Sequence, residues 1–251
     1  MSALALPCTP AEPVVLDGLT DVNRCLEHLS AAERVEWSLR YLPGVHVMSS
    51  SFGAQAAVSL HLLTQQAPEL PVILVDTGYL FDETYRFVET LKARLDLNLH
   101  VVRAERSPAW QEAIDGQRWL DGVAGLDAYH RETKIEPMQR ALATLGATTW
   151  FAGLRRHQST TRQERPVVER AGERFKVYPI VDWTDRDVHE YLKTHDLPYH
   201  PLWHEGYLSI GDHHTSRSIH EVDDADALRF FGLKRECGLH TDTFTATGAD
   251  Q

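Results

Sequence analysis

Near the C-terminal end of the chain, Glu236-Cys237-Gly238-Leu239-His240 sets one cysteine among charged and small residues. Lys234, Arg235 and His240 are its neighbours in sequence. Cationic neighbours lower a thiol pKa from about 8.5 and raise the fraction of thiolate, the form that attacks electrophiles. Gly232 and Gly238 bracket the segment, which suggests that it can move. The alternative is a buried, inert cysteine, and the charged surroundings speak against it. The other cysteines are Cys8 and Cys25. With so few, and with no export signal, a disulfide framework is not expected. A single chain with three cysteines cannot supply a four-thiolate iron–sulfur or zinc site.

A second constellation suits anions. Ser49-Ser50-Ser51-Phe52-Gly53-Ala54-Gln55 follows an apolar run and precedes a helical one. Hydroxyls, a glycine and backbone N–H groups at a helix N-terminus form a place for phosphate. The Lys-Ser/Thr ending of the common P-loop is absent, and a plain turn capped by serine is the simpler reading. The next apolar run ends in Asp76-Thr77-Gly78. Asp76 could accept from a ribose or adenine group, or cap its own turn. Seven basic and three acidic residues lie between 153 and 176, in a chain of net charge −11. This basic island suggests a small polyanionic ligand or, more plainly, a solvated loop. The overall negative charge argues against duplex DNA or an anionic membrane as partner. Of fourteen histidines, His200 and His204 are four apart and His213 adjoins His214. No HExxH-type set exists, so no metal is expected, and His213, His214 and His240 read as phosphate donors.

The elements that must position these groups can be read from periodicity. Val22, Cys25, Leu26, Leu29, Val35 and Leu39 predict one amphipathic helix over 21–40, with Cys25 as a small core residue. Strands are expected at 45–48, 71–75, 97–102, 148–152 and 175–180. Helices are expected at 54–66, 82–95, 136–145 and 185–195, the last capped by Thr184 or Asp185. The alternation predicts an α/β fold with a doubly wound, mostly parallel sheet, whose ligands bind outside the carboxyl ends of the strands. A loose arm over 1–20, one domain over 21–240 and a disordered tail over 241–251 complete the expected organisation. No apolar run approaches the roughly 20 residues of a membrane span. The N-terminus lacks a signal-peptide pattern, and a cytoplasmic protein is expected.

The run Ser49 to Gln55 resembles the modified pyrophosphate loop of the adenine nucleotide α-hydrolase-like superfamily. Four further spans occur in order: Asp76 to Thr84, Gly153 to Ser159, Tyr199-His200-Pro201-Leu202 and Glu236 to His240. Together the five resemble the phosphoadenylyl-sulfate reductase family over about residues 35–240. The resemblance implies reduction of 3′-phosphoadenylyl sulfate to sulfite and adenosine 3′,5′-bisphosphate, a step of sulfate assimilation toward cysteine. It makes Cys237 the nucleophile, forming a Cys S-sulfonate. Cys8 and Cys25 are poorly placed to release it, so an external dithiol is required, which the resemblance names as thioredoxin, or glutaredoxin in its place. It also implies a homodimer.

Cations should hold the phosphates and sulfate, and arginine's planar fork suits oxyanions. Lys134, Arg155, Arg162, Arg217 and Arg229 are the candidates, Lys134 preceding an Ile135-Glu136-Pro137 run that matches the family pattern. Each alone could be an ordinary surface residue. With them, Ser49, Ser50, Ser51, Phe52, Gly53, Gln55, Asp76, Thr77, His213 and His240 form the expected substrate-binding set.

Relatives that act on adenylyl sulfate commonly carry a [4Fe–4S] cluster on a Cys-Cys pair and a later Cys-x-x-Cys. Here the region before Lys134 reads Asp127-Ala128-Tyr129-His130-Arg131, and the later pair falls at about Asp212 and Thr215. This implies an enzyme without bound cofactor or iron–sulfur cluster, acting on 3′-phosphoadenylyl sulfate; a cluster-free adenylyl-sulfate reductase is the alternative. Two rivals remain. An ATP pyrophosphatase or nucleotidyltransferase of the same superfamily would not need Cys237, and a non-catalytic nucleotide-binding module would release no sulfite.

Overall fold

A computed structural model describes residues 8–10, 13–234 and 238–239. The expectations placed on Cys237, His240 and the tail 241–251 therefore lie outside the described residues.

The chain opens with α1 (Leu19–Leu26) and α2 (Ala31–Tyr41). It then alternates β1 (Val45–Ser49), α3 (Ala56–Thr64), β2 (Val72–Val75), α4 (Asp82–Leu95) and β3 (Leu99–Val102). The helices α5 (Pro108–Asp115), α6 (Gly122–His130) and α7 (Glu136–Thr144) follow, with a π-helical turn over Arg131–Ile135 joining the last two. Next come β4 (Ala147–Ala152), β5 (Val168–Ala171), β6 (Arg174–Val177) and α8 (Asp185–Thr194). The sheet order is β3-β2-β1-β4-β6-β5. All neighbours are parallel except β5 on β6, a hairpin closed at Ala171 and Arg174.

Successive strand residues face opposite sides of a sheet, and the two cores follow from that. Met48, Val72, Leu74 and Phe151 join the larger core with residues of α2, α3, α4 and α8. Val47, Ile73 and Trp150, one position away, pack against Ile135, Met138, Ala141 and Leu142. Helices thus cover both faces, as the apolar runs predicted. The order reverses at β1, with β2 on one side and β4 on the other. That switch point opens a crevice at the carboxyl ends of both strands.

Four expectations are corrected. The single helix over 21–40 is two, because Ser30 and Glu33 form a reciprocal capping box that starts α2 afresh. Buried Arg34 then takes the carbonyls of Leu26 and Glu27 at the end of α1 and grips Asp182 through two nitrogens. The fifth expected strand is shorter than 175–180, and β5 lies unforeseen inside the basic island. Its outer edge is closed by Asn23, whose amide donates to Val168 O at 2.7 Å and accepts from Val168 N at 2.8 Å. Finally, Cys8 and Cys25 form a disulfide with Cα atoms 5.9 Å apart, against the expectation of none. Bridging needs Cα atoms within about 7 Å and Cβ vectors that face each other, and Cys8 lies opposite Cys25 of α1 within that range. The arm expected to be loose over 1–20 is tied down in its described part. Trp37 Nε1 donates to Cys8 O at 2.8 Å, and Val14 is buried in the larger core.

Candidate active site

A cavity of about 540 Å³ lies at the switch point. Its floor is the Ser49–Gln55 loop and the start of α3, together with Ala152, Gly153 and Arg155 after β4. A helix N-terminus aimed into a cavity favours an anion there. Trp150 Nε1 donates to Ser49 Oγ at 2.7 Å, and Ser50 Oγ accepts from Phe52 N at 3.1 Å, which fixes the loop. The loop is also braced from outside. His200 N donates to Ala54 O at 3.1 Å, and Leu202 and Ile210 pack on Ala54. The Tyr199–Leu202 span that carried part of the resemblance is thus a buttress of the phosphate loop.

Four of the five expected cations line the cavity: Lys134, Arg155, Arg162 and Arg229. Arg155 is buried, and its guanidinium donates to Gln55 Oε1 at 2.6 Å and to Asp185 Oδ1 at 2.8 Å. Arg162 Nη1 donates to Gln158 Oε1 at 2.6 Å. Arg229 sits over the Phe230 ring, 4.5 Å from its centre, and reaches Ser209 Oγ at 3.3 Å. It passes so near Gly211 that a Cβ there would collide with the guanidinium. Lys134 Nζ is 2.6 Å from Asp212 Oδ2, and Thr77 Oγ1 donates to Asp212 Oδ1 at 2.6 Å. Burial alone would raise the Asp212 carboxyl. The Lys134 ammonium and the Thr77 hydroxyl outweigh it and hold the group well below the usual carboxylate range.

The basic island divides. Arg155 and Arg162 face the cavity, whereas Arg156 is taken by Glu27, Arg165 by Glu169, and Arg170 by Asp17 and Glu173.

Of the expected substrate-binding set, Ser49, Ser50, Ser51, Gly53, Gln55 and Thr77 line the cavity. Four expected residues do not. Phe52, at φ 50°, turns its ring into the larger core. Asp76 is buried and fully engaged by Gly78 N, Tyr85 Oη and the Arg103 guanidinium. His213 is exposed and is not part of the lining, and Arg217 bonds the carbonyls of His214 and Ser216 and faces Phe231. Sequence reasoning missed Asp212, Ser209, Trp150 and Ser59; the glycine at 211 was the one local signal of a close approach.

Leu239 lines the same cavity. Cys237 is two residues earlier, and two trans peptide units span at most about 7 Å between Cα atoms. Cys237 itself lies outside the described residues.

In the stretches that the resemblance sets against iron–sulfur ligands, residues 127–131 and about Asp212 and Thr215, the buried side chains are Tyr129, His130, Asp212 and Thr215, and Asp212 is committed to Lys134 and Thr77. A phenol, an imidazole, an ion-paired carboxylate and a hydroxyl do not fit a four-thiolate cluster. Among the described residues, no group of three or more His, Cys, Asp or Glu side chains is arranged to hold a metal.

Comparison with known proteins agrees with this geometry. A model of the phosphoadenosine phosphosulfate reductase domain matches residues 45–218. The chain is 61% identical over 230 residues to the phosphoadenosine 5′-phosphosulfate reductase of Alkalilimnicola ehrlichii, covering 91% of this chain and 94% of that protein. It is 56% identical over 238 residues to the protein of that name from Xanthomonas campestris pv. campestris, covering 95% and 99%. In fold it is similar to the phosphoadenylyl-sulfate reductase of Candida auris, solved as a phosphate complex, with TM-score 0.71 and 26% identity over 83% of this chain and 100% of that one. The FMN adenylyltransferase of Candida glabrata, at TM-score 0.56 and 16% identity over 83% of this chain and 72% of that one, shares the fold alone. The expected α/β class is therefore correct, and the chain belongs to the phosphoadenosine phosphosulfate reductase family.

Proposed function

We propose that this chain reduces 3′-phosphoadenylyl sulfate to sulfite, with Cys237 as nucleophile. The observation that carries the reading is one cavity that joins a helix N-terminus, four cations and the segment adjoining Cys237. In the first step the Cys237 thiolate attacks the sulfuryl sulfur. The bond from that sulfur to the phosphate oxygen breaks, adenosine 3′,5′-bisphosphate leaves, and an S-sulfonate remains on the cysteine. The cations offset the repulsion between a thiolate and an anionic substrate.

In the second step a donor thiolate attacks the Cys237 sulfur and expels sulfite with its electron pair. The donor's second thiol resolves the mixed disulfide, so the donor loses two electrons and Cys237 is restored. Cys8 and Cys25 are joined to each other and hold no thiol for this step, which supports an external dithiol. Thioredoxin, or glutaredoxin, fills that role in this reading. The same reading makes the enzyme a cytoplasmic homodimer that needs no bound cofactor. No helix among the described residues is long and apolar enough to cross a membrane.

The test is intact-protein mass after incubation with 3′-phosphoadenylyl sulfate and no reductant. The expected result is a sulfonate adduct on Cys237, absent in Cys237→Ser, which yields sulfite when reduced thioredoxin is added. No adduct, or retained turnover in Cys237→Ser, would overturn the proposal. Faster sulfite release from adenylyl sulfate would replace the substrate with the shorter nucleotide.

A further inference from the structure

Lys176 lies in β6, paired in register with Trp150 of β4, and is almost wholly buried. Its ammonium stands 3.7 Å from the centre of the Trp150 ring, a cation–π contact made stronger by desolvation. The same nitrogen donates to Leu239 O at 2.6 Å across 63 residues of sequence. Leu239 packs its side chain against the cluster of Ile135, Met138 and Trp150. Gly238 adds a third constraint. Its φ is +92°, a backbone conformation that favours glycine, and a Cβ built there would lie 2.8 Å from Ile135 Cδ1, which would have to move aside. Trp150 in turn donates to Ser49 Oγ of the phosphate loop at 2.7 Å. One indole thus contacts the loop that faces the cavity and the lysine that holds the other wall.

We propose that Lys176 is a positioning residue for the reaction: by fixing the backbone at Leu239 it sets where the Cys237 sulfur can lie relative to the anion cavity. This rests on the reading of Cys237 as the nucleophile. Lys176 itself is not among the residues lining the cavity, so it acts through the chain and makes no contact with nucleotide. The arrangement predicts a split between binding and chemistry. Removing the anchor leaves the phosphate loop and the four cations in place, so the nucleotide still binds. The thiol then samples positions from which attack is unproductive, and small misplacements of reacting groups are costly in rate.

The experiment uses the full chain and two variants, Lys176→Met and Gly238→Ala. The first keeps an unbranched stem and loses the donor. The second disturbs the docked segment without touching the sheet, and decides the matter if Lys176→Met fails to fold. Single-turnover formation of the Cys237 sulfonate is followed by mass, and the affinity for adenosine 3′,5′-bisphosphate by calorimetry. Sulfonate formation is expected to slow by about 30-fold in both variants, the size of a lost charged hydrogen bond, with nucleotide affinity within about threefold of wild type. An unchanged sulfonate rate in either folded variant overturns the proposal, as does a rate loss matched by an equal loss of nucleotide affinity. If the wild type itself forms no sulfonate, the failure lies with the nucleophile assignment and not with the anchor.

Discussion

Replacing Lys134 with methionine removes the ammonium facing Asp212 while keeping a stem of similar shape. Asp212 is completely buried, and Lys134 is 8% exposed. At the observed 2.6 Å, their gross attraction is roughly 6 kcal/mol in an effective dielectric of about 20. Desolvating both ions offsets much of that, so the pair as a whole contributes little net stability. Truncating one partner is different, because the other remains buried and uncompensated; the expected cost is about 3–5 kcal/mol. The cost must also depend on pH. In the wild type the Asp212 carboxyl is held low, so its stabilisation is present above the ordinary carboxylate pKa and is lost only in strong acid. In the variant the largest opposing influence, the Lys134 ammonium, is gone, burial is opposed mainly by the Thr77 hydroxyl, and that pKa rises. The folded variant then takes up a proton that the unfolded chain does not, and its stability falls as pH rises from about 4. Urea unfolding followed by circular dichroism at pH 5 and pH 8 reads both effects. The deficit should be larger at pH 8, and adding Asp212→Asn should recover at least half of it. A deficit below about 1 kcal/mol at pH 8, or one that does not change with pH, would refute the reasoning.

Three further outcomes follow from separate parts of the molecule. His200 is fully buried, its Nδ1 accepts from Leu202 N, its other nitrogen meets Thr84 Oγ1, and burial holds its pKa down at about 4. A depressed histidine favours the neutral folded form. Stability should therefore fall as pH drops from about 6.5 toward 4, by at most about 3 kcal/mol, and His200→Gln should flatten urea midpoints over that range. Opening the Cys8–Cys25 disulfide, which spans 17 residues, should cost about 3 kcal/mol by loop entropy. Melting with and without a phosphine reductant, beside Cys25→Ser, checks this; equal melting in all three would contradict it. Ser30→Ala removes the capping box of α2 and should cost about 1 kcal/mol, read as a lower urea midpoint with unchanged slope.

The parallel core was legible because its strands are nearly continuous apolar runs, and α4 matched its expected span because Asp82 and Glu83 open it and apolar spacing carries it through. β5 was hidden because Val168-Glu169-Arg170-Ala171 is an edge strand whose charges looked like a solvated loop. α5 and α6 escaped because Trp110, Ile114 and Val123 face outward and blur the polar side. At the site, the serine loop could be read because the N-terminus of α3 follows directly in sequence. Asp76 could not: the guanidinium that claims it belongs to Arg103, 27 residues on. The Thr77–Asp212 bond spans 135 residues, and no local pattern announces such a meeting. Position along the chain told which residues end a strand; only packing tells which of them already have partners.

The same distinction explains the region around Lys134 and Asp212. Tyr79, Trp119, Tyr129 and Phe230 form a buried aromatic group. His214 lies against Trp119 with ring centres 3.9 Å apart, and His130 against Phe230 at 4.7 Å. Burial lowers the pKa of both histidines, to about 4 for His214, with the Lys134 charge adding to the effect. Both are thus neutral at physiological pH, and the ionised pair within this region is Lys134 with Asp212. A set of four thiolates would bring an anionic centre into this space, whereas aromatic rings and one balanced pair fill it without net charge. Lys134 has Asp212 on one side and the cavity on the other, so its position is set whether or not an anion is bound. Rigid placement of a cation before the substrate arrives is what electrostatic assistance to an anionic transition state requires. An aspartate at 212 therefore does structurally what a ligand to a cluster would not: it orients the charge that faces the cavity.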